Sequence, residues 1–287
     1  MKIVEIDQRS PEWLTWRKGK IGSSSVPSLF DCGHMTKYEA WLSCLGLYDQ
    51  PVNSAMQRGI ELEAKARGAF EEYHGGIFNP VCIEHPDHPE LIASLDGLSL
   101  DKNELVEIKC STNKNYELAL KGEIPHSFYI QIQHQLLVSG LQRGWCWCFN
   151  GEQGAAVLVP RDEVFIKELF EKEMEFLDQV RKMEPPALSN KDYMEREDKE
   201  WTQLAYQYSN VDYLLKGLET QKQELRIKLE ELSKGRSCRG GGISLSHGFR
   251  ASPLPYKQIV QTLGLETKDF EKPPIKVTTI RIEKCEN

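Results

Sequence analysis

Between residues 56 and 73 the chain reads MQRGIELEAKARGAFEEY, in which Ile60, Ala64, Ala66, Phe70 and Tyr73 recur at intervals that suit one face of a helix. This period predicts an amphipathic helix. The pattern then changes to the short β-rich runs IFNPVCIEH, LIASLDGLSL and ELVEIKC, separated by turn residues at His85-Pro86-Asp87 and Asp101-Lys102-Asn103. Three neighbouring antiparallel strands are the simplest arrangement. Helical spacing returns around Asn115 to Leu120 and from Ser127 to Val138; GWCWCFN and AAVLVP read as two further strands, and a helix runs from Asp162 to about Met183. Upstream, Ser10-Pro11-Glu12 opens a short helix that sets Trp13 and Trp16 on one face. Gly19 and Gly22 break that helix, and Ser23-Ser24-Ser25 caps a second one running through Phe30.

Tandem prolines at Pro185-Pro186 stop a helix and stiffen a connection, so they mark a boundary between residues 1–184 and 185–287. Beyond it the composition shifts. Residues 198 to 234, rich in Glu, Lys, Gln and Leu, predict one long polar helix with Leu214, Leu218, Leu225, Leu229 and Leu232 at spacings near three, four and seven. GRSCRGGGISLSHG reads as a flexible or hairpin connection. After it come a short helix (YKQIVQTLG), the loop EKPPIK and a strand (VTTIRIEK). No repeat at a fixed period is evident.

With 287 residues and 40% apolar content the chain can bury a real core. The N-terminal MKIVEIDQRS lacks the form of a signal peptide, and no apolar run approaches the roughly 18 residues of a membrane span, so a soluble intracellular protein is expected. The eight cysteines are scattered without a disulfide framework and read as reduced, mostly buried thiols; Cys146 and Cys148 would share one face of a strand. A net charge of −7 argues against coating nucleic acid through bulk electrostatics. It leaves a nuclease open, because carboxylates that hold divalent cations are neutralised on binding and phosphate can be met by a local basic patch.

The chemistry concentrates in LDGLSLDKNELVEIKC, residues 95 to 110. By the two-residue period of a strand Glu107 and Lys109 share a face, while Ile108 and Cys110 point the other way into core. Asp96 is expected at the end of the preceding strand, just before Gly97 turns the chain, and a hairpin brings the three side chains together. Two adjacent carboxylates repel unless a divalent cation or the ammonium compensates, which calls for Mg2+ or Mn2+. Taken alone, E-x-K is far more often an ordinary surface pair.

The spacing D-x10-E-x-K resembles the PD-(D/E)XK phosphodiesterase motif, with Leu95 in place of its proline. Two flanking segments sharpen the resemblance: RGIELEAKAR, carrying Glu63, before the strands, and YIQIQHQLLVSG, carrying Gln131 and Gln133, after them. This order, together with W-x-x-x-R-x-G-x-I-x-x-S at Trp13, Arg17, Gly19, Ile21 and Ser24, is similar to that of the YqaJ-type viral recombinases and phage lambda exonuclease. The resemblance covers about residues 10 to 180. It implies an α/β (α+β) restriction-endonuclease-like core, with a central mixed sheet flanked by helices and a C-terminal helical arm beyond. It also implies a metal-dependent exonuclease degrading one strand of duplex DNA from its 5′ end.

By motif position Asp96 and Glu107 are the implied main metal ligands, joined by the Ile108 carbonyl and Glu63; Glu61 stays open as an alternative to Glu63. Lys109 would orient or deprotonate the attacking water and Gln131 would help position it, with Gln133 nearly equivalent. Two Mg2+ ions are implied, with Mn2+ as a substitute, one serving the water and one the leaving oxygen. Arg17 and Ser24 match positions that receive the terminal 5′-phosphate, although Arg17 could equally stack on Trp13 or Trp16. His74, His85, His88, His126 and His134 are expected in loops or on the surface, since hard cations prefer oxygen. Further implications are a ring-shaped trimer or tetramer, which needs only a positive lumen, and an annealing protein that takes the 3′ overhang. The cytoplasm of a bacterial host, with a phage or prophage gene, follows as the setting. The C-terminal region reads as a DNA-clamping or partner-docking arm. The alternatives are an endonuclease or RecB-type nuclease, and an inactive protein that binds DNA ends.

Overall fold

The computed structural model describes residues 1–48, 51, 53–110 and 113–247. Met1–Met194 form one compact unit, and a second begins at Glu195. Pro185-Pro186 lies inside the first unit: beyond it the turn Asn190–Asp192 is held by Asp192, which accepts a hydrogen bond from Thr36 Oγ1.

A seven-stranded mixed sheet organises the first unit. Its strands are β1 (Lys2–Val4), β2 (Ile21–Gly22), β3 (Phe78–Glu84), β4 (Leu91–Ser99), β5 (Leu105–Cys110), β6 (Arg143–Phe149) and β7 (Gly154–Pro160). The order is β1-β3-β4-β5-β6-β7, with β2 also beside β4; β5–β6 and β2–β4 are parallel and the other pairs antiparallel. The helices are α1 (Pro11–Trp16), α2 (Lys37–Cys44), α3 (Ser54–His74), α4 (Asn113–Leu120), α5 (His126–Ser139) and α6 (Glu163–Arg181).

Strand alternation divides the apolar side chains between the two sheet faces. Val106 and Ile108 join Trp147, Phe149 and Phe78 against Ala66 and Phe70 of α3. Leu105, Cys146 and Cys148 lie on the opposite face, in a larger core with Ile132 and Leu136 of α5 and Leu169 and Phe176 of α6. Helix α5 is buried from Ile130 to Ser139, so its polar side chains must find partners inside the protein. Gln133 does so with main chain, donating to Pro160 O at 2.8 Å and accepting from Asp162 N–H at 3.0 Å.

Several expectations need correction. Gly97 does not turn the chain but lies within β4, where a Cβ would come within 2.8 Å of both Phe78 Cβ and Val106 Cγ1. The glycine is there for close packing. The second N-terminal helix is only a five-residue 3-10 turn, Val26–Phe30. On α3, Ile60 and Tyr73 are exposed while Ala66 and Phe70 are fully buried, because the helix presents a narrower stripe to the sheet than its apolar content suggests. His134 is not a surface residue. It is fully buried, with Nε2 2.9 Å from Ile92 O and Nδ1 2.6 Å from Glu173 Oε1. Strands β1 and β2 and helix α2 were not anticipated. A capping box, Thr36 with Glu39, opens α2.

The second unit contains α7 (Lys199–Ser233), a single helix of 35 residues opened by Asp198, which accepts from Trp201 N–H. A hairpin, β8 (Cys238–Gly240) and β9 (Ile243–Leu245), follows across Gly241-Gly242. The helix and strand expected in residues 256 to 287 lie outside the described residues. No described helix is long and apolar enough to cross a membrane.

Burial alone would lower the His134 pKa, but the Glu173 carboxylate and the Ile92 carbonyl outweigh it and hold the imidazolium above its ordinary range. A raised folded-state value means that the pair's contribution is complete below about pH 6.5, the unfolded histidine value, and is lost as pH climbs through the shifted value. Stability measured by urea denaturation should therefore fall on the alkaline side. His134→Leu alone should cost about 3–5 kcal/mol by stranding Glu173, and His134→Leu with Glu173→Leu should recover most of that. Equal losses in the single and double variants would show that no ion pair operates there.

Candidate active site

The ladder between β4 and β5 is short: only Gly97↔Val106 and Leu98↔Leu105 pair. Further back along the same edge β4 pairs with β2, at Leu91 and Ile92. The edge of β4 between these two contacts has no partner strand among the described residues, and the sheet opens there. Continued by one residue, the β4–β5 register sets Asp96 opposite Glu107, with both side chains on one face. The carboxylate of Asp96 takes over where the backbone pairing stops, its Oδ2 accepting from Ile108 N–H at 2.7 Å.

Glu107 is 4% exposed and lies under α5. Its Oε1 accepts from Gln131 Nε2 at 2.6 Å and is 2.8 Å from Lys109 Nζ; its Oε2 accepts from Gln135 Nε2. Lys109 also donates to Gln131 Oε1 at 2.8 Å, closing a ring of three side chains. Burial disfavours the ammonium, but the carboxylates of Glu107 and Asp96 more than offset this and raise the Lys109 pKa. Asp96 shows the reverse balance. Burial, then repulsion from Glu107 and Glu63, push its carboxyl well above the ordinary range, against the opposing Ile108 N–H bond and Lys109 charge.

Glu63 arrives from α3. Arg9 pairs with its Oε2, while Arg67 lies 4.0 Å from its Oε1 and donates from Nη1 to Asp96 O at 3.1 Å. Glu61 points elsewhere: it is exposed and accepts from Gln57 Nε2 at 2.9 Å. Asp96, Glu107, Lys109, Gln131 and Glu63 are therefore brought together, with the Ile108 backbone beside them, whereas Glu61 and Gln133 are not part of the cluster. Sequence reasoning missed Arg9, Arg67 and Gln135. The last was accessible, one helical turn beyond Gln131 on the same helix.

Among the described residues no three His, Cys, Asp or Glu side chains are gathered as a ready-made metal cage. Glu63 is turned to arginines and Glu107 to amides and an ammonium. The donor set nevertheless fits a hard cation: three carboxylates are close enough that Glu107 and Glu63 raise the Asp96 pKa, and all donate oxygen.

The N-terminal motif forms a separate cluster. Arg17 stacks on Trp13, its Cζ 4.4 Å from the ring centroid, and Trp13 Nε1 donates to Ser94 Oγ at 2.8 Å, two residues before Asp96. Arg17, Lys18, Lys20 and Ser25 help line a pocket of about 230 Å3. Ser24 is exposed and does not line this pocket; its neighbour Ser25 does. Glu84 fixes the segment by accepting from Lys20 (2.6 Å), Trp16 (2.8 Å) and Lys2 (3.0 Å). Burial would raise its pKa, but these partners lower it to about 2.

Residues 12–142, which span both clusters, match the model of the YqaJ-like viral recombinase domain. The uncharacterised YqaJ protein of Bacillus subtilis (strain 168) is 26% identical over 237 residues, 79% of this chain and 73% of that protein. Among solved structures, LHK-Exo, an alkaline exonuclease from Laribacter hongkongensis, aligns with 28% identity and a TM-score of 0.52, covering 61% of this chain and 94% of its own. Its complex with dAMP aligns with 27% identity and a TM-score of 0.54 over the same shares. The core is thus of the restriction-endonuclease-like kind seen in exonucleases, and its residues 12–142 are similar to the YqaJ-like viral recombinase domain.

Proposed function

We propose that this chain is a Mg2+-dependent exonuclease that degrades one strand of duplex DNA from the 5′ end, leaving a 3′ overhang for an annealing protein. The observation that carries the reading is the placement of Asp96 opposite Glu107 where the sheet opens, with Lys109 2.8 Å from Glu107 Oε1. Deoxynucleotide binding by the similar LHK-Exo supports it.

In this reading Asp96, Glu107, Glu63 and the Ile108 carbonyl hold two divalent ions. Once bound, such ions polarise the scissile phosphate and offset charge on the leaving oxygen. Arg9 and Arg67 release Glu63 and become free to meet backbone phosphate, a role suited to guanidinium groups. Lys109, 2.8 Å from both Glu107 Oε1 and Gln131 Oε1, orients or deprotonates the attacking water. Gln131 fixes the Lys109 ammonium from the other side. The terminal 5′-phosphate is met by Arg17, with Lys18, Lys20 and a serine hydroxyl, Ser24 or Ser25, around it. Several copies around the duplex would give a positive lumen despite the negative total charge.

Linear duplex with a labelled 5′-phosphate should be degraded faster than the 5′-hydroxyl form, closed circles should be spared, and EDTA should stop the reaction. Arg17→Ala should erase the phosphate preference. Cleavage of circles would replace the exonuclease by an endonuclease. Lys109→Ala should keep DNA affinity but lose at least about 10²-fold in hydrolysis; a rate near wild type would remove its role at the water.

A raised Asp96 pKa carries the opposite sign from a paired carboxylate: the fold favours the protonated form and loses stability as pH rises from the unfolded value through the folded one. Asp96→Asn, which can still accept the Ile108 N–H, should therefore stabilise the apo protein by about 0.5–2 kcal/mol at neutral pH. Added Mg2+ should raise the melting temperature of wild type and leave the variant unmoved. Equal Mg2+ responses would place the ions elsewhere.

A further inference from the structure

Contrary to the expectation of no fixed period, helix α7 carries a seven-residue repeat, obscured in the leucines alone because Leu214 falls outside it. Trp201, Tyr208, Leu215, Lys222 and Leu229 form one row, seven apart. Leu204, Val211, Leu218, Leu225 and Leu232 form a second, offset by three. These alternating steps of three and four give a mean period of 3.5, the a and d seam of a left-handed coiled coil. Nine of the ten positions are apolar, and those nine are 40% to 78% exposed. Within the second unit the described residues offer only the β8–β9 hairpin, which meets the helix near Leu229 and Leu232. A helix about 50 Å long with such a stripe uncovered gains little of the packing that stabilises helices in water.

We infer that α7 pairs with α7 of a second copy of this chain in a parallel, in-register coiled coil. Knobs-into-holes packing along the whole seam needs a partner with the same repeat and comparable length. Among the described residues α7 alone has both; the next longest helices, α3 with 21 residues and α6 with 19, already bury their apolar faces in the first unit.

The flanking charges accept the parallel register. Gln207 meets the second copy's Asp212, Gln221 its Arg226 and Lys228 its Ser233, so no like charges meet across these flanking pairs. Full-overlap antiparallel pairing would instead set Asp212 against the second copy's Glu219, twice. Lys222 selects register. In register the two ammonium groups share one layer and reach outward to water, whereas a one-heptad slip would lay each against leucine. The area reaches what a stable pair needs: nine apolar side chains per helix, each hiding on the order of 50–100 Å2, give about 900–1,800 Å2 for the pair, whose upper part lies in the range of stable interfaces. The pairing does not depend on the nuclease reading.

Two measurements on the full chain test it. Oxidised Leu204→Cys should form a disulfide-linked dimer, while Gln203→Cys, on the outer side, should show no more than the background set by exposed Cys238. Cross-linking of both variants, or of neither, overturns the in-register pair. Hydrogen exchange of the 199–233 amides should be slow in wild type and at least about tenfold faster in Leu218→Glu/Leu225→Glu, with cleavage of short duplexes unchanged. Fast exchange already in wild type would overturn the proposal. So would a loss of DNA affinity in the double variant with exchange unaltered, which would make the arm a DNA clamp.

Discussion

A carboxylate buried to 4% exposure beneath a helix is the constraint around which the first unit is arranged. An unpaired charge at Glu107 would be prohibitive in such surroundings, so α5 must bring polar groups to it. Gln131 and Gln135, one turn apart, take one oxygen each, and Lys109 supplies the opposite charge from the same strand. Once those bonds are made, α5 cannot rotate or slide without stranding Glu107. The same rotation would break Gln133 from Pro160 and His134 from Ile92. The helix is held in register by polar contacts in four directions, and its apolar side chains fill the space between them.

That rigidity coexists with unfavourable electrostatics a few ångströms away. Asp96 is pressed against Glu107 and Glu63, and the compensation now present comes from groups of unequal permanence: Lys109 is built into the strand, whereas Arg9 reaches Glu63 from the segment before α1. Arg9 has a left-handed backbone, φ 71°, which a non-glycine residue adopts at some cost. Of the two cations beside these carboxylates, the one on the short, strained lead-in can therefore leave without disturbing the strands.

How much of this was legible depended on whether the determining contact was local. The two-residue period of VEIKC placed Glu107 and Lys109 on one face and Ile108 on the other, because strand alternation is a property of the backbone itself. Long helices were legible for the same reason, and α7 runs within a residue of the span expected from its composition. Gly97 was misread because a glycine that turns a chain and one that lets Phe78 and Val106 close in leave the same letter. His134 was misread because its partners, Ile92 and Glu173, are about forty residues away in opposite directions. Helix α2 did carry a local signal, Thr36-x-x-Glu39, that went unread. The edge strands β1 and β2 had none, being two or three residues long and supported entirely by β3 and β4.

The break in the β4–β5 ladder links these points. A continuous ladder would direct the Ile108 N–H to a backbone carbonyl and leave Asp96 as one more side chain above a closed sheet. Because pairing ends at Gly97↔Val106, the donor turns to the Asp96 carboxylate and β2 takes the vacated edge of β4 further back. Gly97 permits this, since its missing Cβ lets Phe78 and Val106 approach just where the strands begin to part. The opening thus rests on one tight contact behind it, and Asp96 is the first residue past that contact, where the backbone is still held by the neighbouring ladder pair.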